Sequence, residues 1–149
     1  MDNKAKIILN RPSQWMNRMR SYKVSINGKQ IGTVKNGSSE EFPVEPGNNS
    51  VECKVDWYRS RPFTMTLKEG ETAYLRVKGA MKWYIPLVLL MAVGVFLIFY
   101  YRRNPDKPDW VFPVSLALII PALLYSLYYI TFGRKDYLVL EKDTNNIFA

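Results

Sequence analysis

Two runs of this chain tolerate almost no alternative folding. "WYIPLVLLMAVGVFLIFYY", residues 83–101, holds no charged residue across 19 positions, and "VFPVSLALIIPALLYSLYYITF", residues 111–132, holds none across 22. Each reaches the roughly 20 residues that an α-helix needs to cross a bilayer core. Two buried helices of a water-soluble globule are the competing reading, but nothing else in the chain is large enough to cover them. The sequence therefore predicts a transmembrane hairpin over 83–133, with helices at 83–101 and 111–132 and a loop at 102–110. That loop contains "RRNPDKPD", polar and broken by two prolines, so the helices run antiparallel and both flanking segments lie on one side.

The ends of the two runs are aromatic. Trp83 and Tyr84 open the first and Tyr101 closes it; Trp110 opens the second, and Tyr128 and Tyr129 close it. Amphipathic rings settle at head-group depth, so these residues are the expected membrane-interface positions. Gly94 in the first run, and Ala122 and Ser126 four apart in the second, are candidates for close helix–helix contact. Pro121 predicts a kink, since it removes a backbone donor and frees the carbonyl of Ala117. Near the spans, the terminal side carries Arg76, Lys78, Lys82, Arg134, Lys135 and Lys142, whereas the loop carries Arg102, Arg103 and Lys107. The excess of positive charge places the N- and C-termini in the cytoplasm and the protein in an inner or plasma membrane. The start of the chain shows no secretory signal, which agrees.

Residues 1–82 are of a different kind. Short alternating runs are separated by turns. "YKVSI" and "KQIGTV" flank Asn27-Gly28, a strong hairpin signal because both turn positions need positive φ. "EEFPV" is a short edge strand, since Pro43 cannot donate to a ladder. "EPGNNS" then leads to a strand in which Val51, Cys53, Val55 and Trp57 alternate with Glu52, Lys54 and Asp56. "PFTMTL" puts Phe63, Met65 and Leu67 on one side, and "TAYLRVK" puts Ala73, Leu75 and Val77 on one side. Residues 6–9 read as a first strand. This pattern predicts a small antiparallel β-sandwich with one polar face per sheet. Phe42, Val51, Val55, Trp57, Phe63, Met65, Leu67, Leu75 and Val77 form its expected core. In the tail, "YLVLE" at 137–141 has strand character. We expect it to return to the sandwich as an edge strand, beside residues 6–9. The fold class is thus mainly β with an α membrane segment.

Over residues 20–78, "YKVSINGKQIGTV" and "VEPGNNSVECKV" resemble the small β-sandwich modules of the PEGA and carboxypeptidase-regulatory-like type. Asn27-Gly28, Gly32 and Pro46-Gly47 stand at the turn positions of that pattern. Asn49 replaces the histidine often found after the Pro-Gly, and the P-E-G-A tetrapeptide is absent. The resemblance implies a non-catalytic binding or scaffolding module attached to a membrane protein. It carries over no functional residues.

Chemistry-bearing patterns are few. The chain has one cysteine and no histidine, so an intrachain disulfide and the commonest acid–base group are excluded. No zinc spacing, phosphate loop or nucleophile elbow occurs, which predicts no enzyme and no cofactor. Net charge is +8, and residues 1–82 hold fifteen Lys and Arg against eight Asp and Glu. A basic domain beside a bilayer points to anionic head groups or a protein partner; the bland reading is a solvated surface. No nucleic-acid reader motif appears. The candidate surface is Trp15, Arg18 and Arg20 in the connector 12–20, with Tyr58, Arg59 and Arg61 at a later turn. In "RPSQWMNRMRSY", one helical turn capped by Ser13 is expected. It reads as an interfacial foot or as a connector whose Trp15 caps the core, and its shortness favours the connector. Expected partners are membrane lipids and another membrane protein or a second copy of the chain. The function that follows is an accessory or scaffolding subunit. The alternative is an oligomeric transport or pore protein, which the lack of intramembrane charge opposes.

Overall fold

A computed structural model describes residues 4–80, 84–104, 106 and 108–144. The chain divides into two compact units. One comprises residues up to Ala80 together with those from Arg134 onward, and the other comprises 81–133.

The first unit is a two-sheet β-sandwich. Its strands are β1 (Ala5–Asn10), β2 (Tyr22–Ile26), β3 (Lys29–Val34), β4 (Ser39–Val44), β5 (Gly47–Val55), β6 (Tyr58–Arg59), β7 (Phe63–Leu67), β8 (Thr72–Gly79) and β9 (Leu138–Lys142). One sheet has the order β4-β1-β8-β9. The other has the order β3-β2-β5-β6, with β7 also on β5. The nine residues of β5 are shared, Gly47–Val51 with β7 and Val55 and Lys54 with β6.

The local signals explain most of these elements. Asn27 (φ 52°) and Gly28 (φ 80°) both take the left-handed conformation, so the two-residue turn matches the twist of β2 and β3. Alternation puts Ile7, Leu9, Val24, Val34, Val51, Cys53, Leu75 and Val77 in the core, all essentially without solvent contact. Gly32 is required where the sheets meet, because a Cβ there would lie 2.7 Å from the Phe42 ring. Pro43 sits in β4, an edge strand.

The antiparallel expectation needs correction. β1 pairs antiparallel with β4 but parallel with β8, so the sandwich is mixed. Alternation reports that one face is covered; it does not report the direction of the neighbour. The tail strand is β9, and it lies antiparallel on β8 rather than beside residues 6–9. Arg76 meets Asp143 at 2.9 Å and Lys78 meets Glu141 at 2.7 Å across this ladder. Ala80 N–H donates to the Tyr137 carbonyl at 2.8 Å, so the chain leaves and re-enters the sandwich at adjacent points.

Three expected core residues are not buried. Asp56 adopts φ 50°, which ends β5 and turns Trp57 outward. Phe63 and Met65 are half-buried, because β7 borders an open cleft of about 400 Å³ that also reaches Ala73, Leu75 and Lys142.

The second unit is an antiparallel pair of helices, α1 (Tyr84–Arg103) and α2 (Val111–Thr131), both long and apolar enough to cross a membrane. Arg102 and Arg103 close α1, where a helix C-terminus favours positive charge, and the Asn104 side-chain amide donates to the Tyr100 carbonyl at 2.9 Å. α2 continues unbroken through Pro121. Its seam is Val111, Ser115 and Ala122, spaced four and seven apart, and Gly94 of α1 fits against it. A Cβ at Gly94 would stand 2.8 Å from the Ser115 carbonyl oxygen and 2.8 Å from Ile119.

Candidate functional site

The connector 11–21 joins the two sheets and is built around a buried cation. Arg11 follows β1 and is completely buried. Its guanidinium stacks on the Tyr22 ring, 3.5 Å from the centroid, and donates to the carbonyls of Arg20 (2.6 Å), Asn17 (2.7 Å) and Val34 (3.4 Å). Burial lowers its pKa from the ordinary arginine value, but carbonyl dipoles and the ring face surround the charge. The five-donor fork of arginine suits this work, since one side chain reaches two carbonyls of the connector and one of β3.

Further bonds fix the connector from other directions. Gln14 N–H donates to the Asn36 side chain at 3.0 Å, and the Gln14 side-chain oxygen accepts from Gly79 N–H at 3.0 Å. The Asn17 amide donates to the Tyr137 hydroxyl at 2.7 Å. Burial is the main reason the Tyr137 pKa is raised, and this hydrogen bond opposes the rise. Asn17 itself sits at φ 58°, a conformation asparagine tolerates. No helical turn forms here; the segment is a set of turns, and Ser13 accepts from the Asn36 amide instead of capping a helix.

This framework holds Trp15 and Met19 outside. Trp15 is 79% exposed and Met19 is 99% exposed, so Trp15 does not cap the core. Arg18, which precedes Met19, and Arg20, which follows it, are also at the surface. Arg20 makes an ion pair with Asp56, which joins the connector to the β5–β6 turn. Trp57, 57% exposed, lies on that turn with its ring 5.4 Å from Tyr58. Tyr58 stacks on Tyr137 at 4.0 Å, and Arg61 meets Asp136 at 2.5 Å. That contact holds the Asp136 carboxyl below its usual pKa range, through the hydrogen bond from Arg61. Arg59 differs from its neighbours, since it faces Glu52 at 3.9 Å along the outer surface of the sheet.

Trp15, Arg18, Arg20, Tyr58 and Arg61 are thus brought to one end of the sandwich, the end that carries Gly79–Ala80 and Arg134–Tyr137. Strand registers define this end, since Asn10, Arg76, Val34, Val55 and Leu138 all point the chain toward it. Its charge is one-sided. The connector and the β3–β4 turn supply Arg18, Arg20 and Lys35. The β5–β7 turn and the tail supply Arg59, Arg61, Arg134 and Lys135. Only Asp56 and Asp136 oppose them in these connections. At the other end the charges balance, Lys4, Lys29 and Lys68 against Glu45, Glu69 and Glu71, while Asp143 reaches back to Asn10 and Arg76. Sequence reasoning missed Arg11, Asn17, Trp57 and Tyr137. A φ-tolerant asparagine and a tyrosine opening the tail strand were the available signals; nothing marks Arg11.

The helix residues are distributed as follows. Gly94 and Ala122 lie buried in the seam, whereas Ser126 is half-buried and donates to the Ala122 carbonyl of its own helix. Tyr84 and Tyr101 are half-buried, with Tyr101 6.0 Å from Phe112; Trp110 and Tyr128 are exposed; Tyr129 packs against Tyr125 and Tyr128. Trp83 lies outside the described residues. Cys53 is buried in the core, and burial pushes its thiol up to about 12, which removes it as a nucleophile. Among the described residues no three Asp, Glu or Cys side chains come together as a metal site. The sequence matches no family model, and no curated protein matches it significantly.

Proposed function

We propose that this chain is a non-catalytic integral membrane protein, an accessory or scaffolding subunit whose α1–α2 hairpin anchors a basic sandwich for binding a protein partner or the anionic membrane surface. The observation that carries the reading is the surface of the helical pair. Leu89, Phe96, Phe99 and Leu124 are each about 60% exposed or more, a state that water penalises and hydrocarbon does not. The polar groups agree. Ser115, Ser126 and Thr131 each donate to the carbonyl four residues earlier in α2, so their hydroxyls need no solvent. Residues 84–101 and 111–132 hold no charged side chain, which counts against transport. The resemblance to PEGA-type modules supports a binding role.

Alkaline carbonate washing of membranes from cells that make the full chain tests the anchor. The protein should stay in the pellet and leave it only with detergent; release by carbonate overturns the reading. Both flanks of the hairpin are proposed to be cytoplasmic. An Asp106→Cys variant in intact cells should then label with a membrane-impermeant maleimide, and absence of labelling reverses the topology. Mild detergent extraction followed by identification of what co-purifies tests the accessory role. A chain recovered alone, in native amounts, counts against it.

A further inference from the structure

We infer that the connector 12–20 is an interfacial foot: Trp15 and Met19 enter the head-group layer of the same membrane that holds α1 and α2, and Arg18 engages anionic lipid phosphate there. The inference rests on the anchor reading above and names the surface and its partner.

Three independent observations lead to it. Connectivity is the first. Gly79 donates to Gln14 of the connector, and Ala80 is only four residues from Tyr84, where α1 starts. Four residues span at most about 14 Å. On the return, Thr131 ends α2 and Asn17 is bonded to Tyr137, six residues later. The connector is therefore linked to both helix ends through a few residues of chain, which gives it a high effective concentration toward any surface that receives the helices.

Display is the second. The segment is pinned by Arg11, Gln14 and Asn17, and the two most exposed large apolar side chains described in the sandwich stand on it. A tryptophan and an unbranched methionine beside arginine suit the head-group layer, where ring and thioether meet acyl chains and guanidinium meets phosphate.

Charge is the third. The tethered end is strongly basic, whereas the opposite end is balanced. A negatively charged leaflet would attract the first. Arg18 makes no ion pair among the described residues, so its charge is available. A protein partner could use the same loop, but only the bilayer is held at this end by the chain itself.

Spin labels test the inference in the full-length protein. Cys53 is buried with an unreactive thiol, so the wild-type chain contributes no label. Met19→Cys, Lys29→Cys and Leu90→Cys are each labelled and reconstituted into nanodiscs of phosphatidylcholine, alone or with phosphatidylserine at a ratio of about 7 to 3. Accessibility to oxygen relative to a water-soluble nickel complex reports depth. Lys29 is exposed on the hairpin at the far end of β2, and Leu90 is exposed within α1. The label at 90 should be deep in both lipids. The label at 19 should be several-fold more oxygen-accessible than the label at 29, and deeper when phosphatidylserine is present. Arg18→Glu should reverse that lipid dependence, while Arg18→Lys should keep it. A deep label at 90 with labels 19 and 29 equally aqueous overturns the foot and leaves the anchor standing, with the loop free for a protein. An aqueous label at 90 overturns the anchor itself. Equal depth at 19 in the two lipids, or no effect of Arg18→Glu, overturns the anionic contact.

Discussion

The sandwich and the helical pair solve the same problem in opposite ways. Both are rich in branched and aromatic apolar residues. The sandwich turns them inward, so that Ile7, Leu9, Val24 and Val77 lose all contact with solvent. The helical pair buries little, Gly94 against Ser115 with Val111 and Ala122 in the same seam, and turns Phe96, Phe99, Leu123 and Leu124 outward. Polar groups are reversed too. The sandwich buries a full cation, Arg11, and distributes its donors over three carbonyls. The helices bury no charge, and their hydroxyls fold back on the backbone. One unit packs its large apolar groups inside; the other leaves them on its surface, as the proposed hydrocarbon setting requires. The difference shows that "buried" must be defined relative to the solvent each unit meets.

The strongest way to break this comparison is to separate the units. Replacing residues 81–133 with an Asn-Gly turn should convert a detergent-requiring protein into a water-soluble monomeric sandwich, because Ala80 and Tyr137 are already hydrogen-bonded. Aggregation of that chain in fractionation and sedimentation would mean that the sandwich depends on the helices. Next in size is removal of β9 by ending the chain after Arg134. Tyr137 and Leu138 are both buried, and losing two such side chains costs about 3–6 kcal/mol before the ladder is counted. The sandwich should lose its cooperative melt while the helical circular-dichroism signal in detergent persists. An unchanged melt would refute this strand's contribution.

Smaller changes sharpen the contrast further. Arg11→Met should destabilise the sandwich by about 3 kcal/mol, since it removes three hydrogen bonds to the connector and β3 and the stack on Tyr22; chemical denaturation in detergent measures it, and the helices should not respond. Gly94→Leu should have the mirror-image effect. The added atoms meet the Ser115 carbonyl and Ile119, at about 1–3 kcal/mol for overpacking. Cross-linking of one cysteine introduced into each helix should slow, and the sandwich should melt as before. The smallest effect is the acid limb. Asp136 has its pKa lowered by Arg61, so this contact is fully present above the unfolded carboxylate range near 4 and fades as pH falls through the lower folded value. The pair is exposed, so Arg61→Gln should shift the acid midpoint only slightly.

Much of the β unit could be read from residue order. Asn27-Gly28 specifies its turn, and alternation marks which side of β2, β5 and β8 is covered. Pairing direction was not legible, because β1 and β8 alternate in the same way whether parallel or antiparallel. Trp57 was misread because its two-residue spacing from Val55 hides the left-handed turn at Asp56. Phe63 and Met65 were misread because alternation defines a face without saying whether the opposite sheet extends over it. The surface was half legible. Trp15, Arg18 and Arg20 stand out by composition, but the arginine that shapes their loop looks like any other basic residue at a strand end. Its role arises only when β1, β2 and β3 converge on it.

The bond between Ala80 and Tyr137 has a consequence for biosynthesis. A ribosome delivers β1 to β8 first, the two helices next and β9 last. Until then the sheet has a bare margin along β8, with Arg76 and Lys78 awaiting their acidic mates. Completion of the headpiece is thereby made to wait for the hairpin, so a finished sandwich is a record that both helices have already been translated.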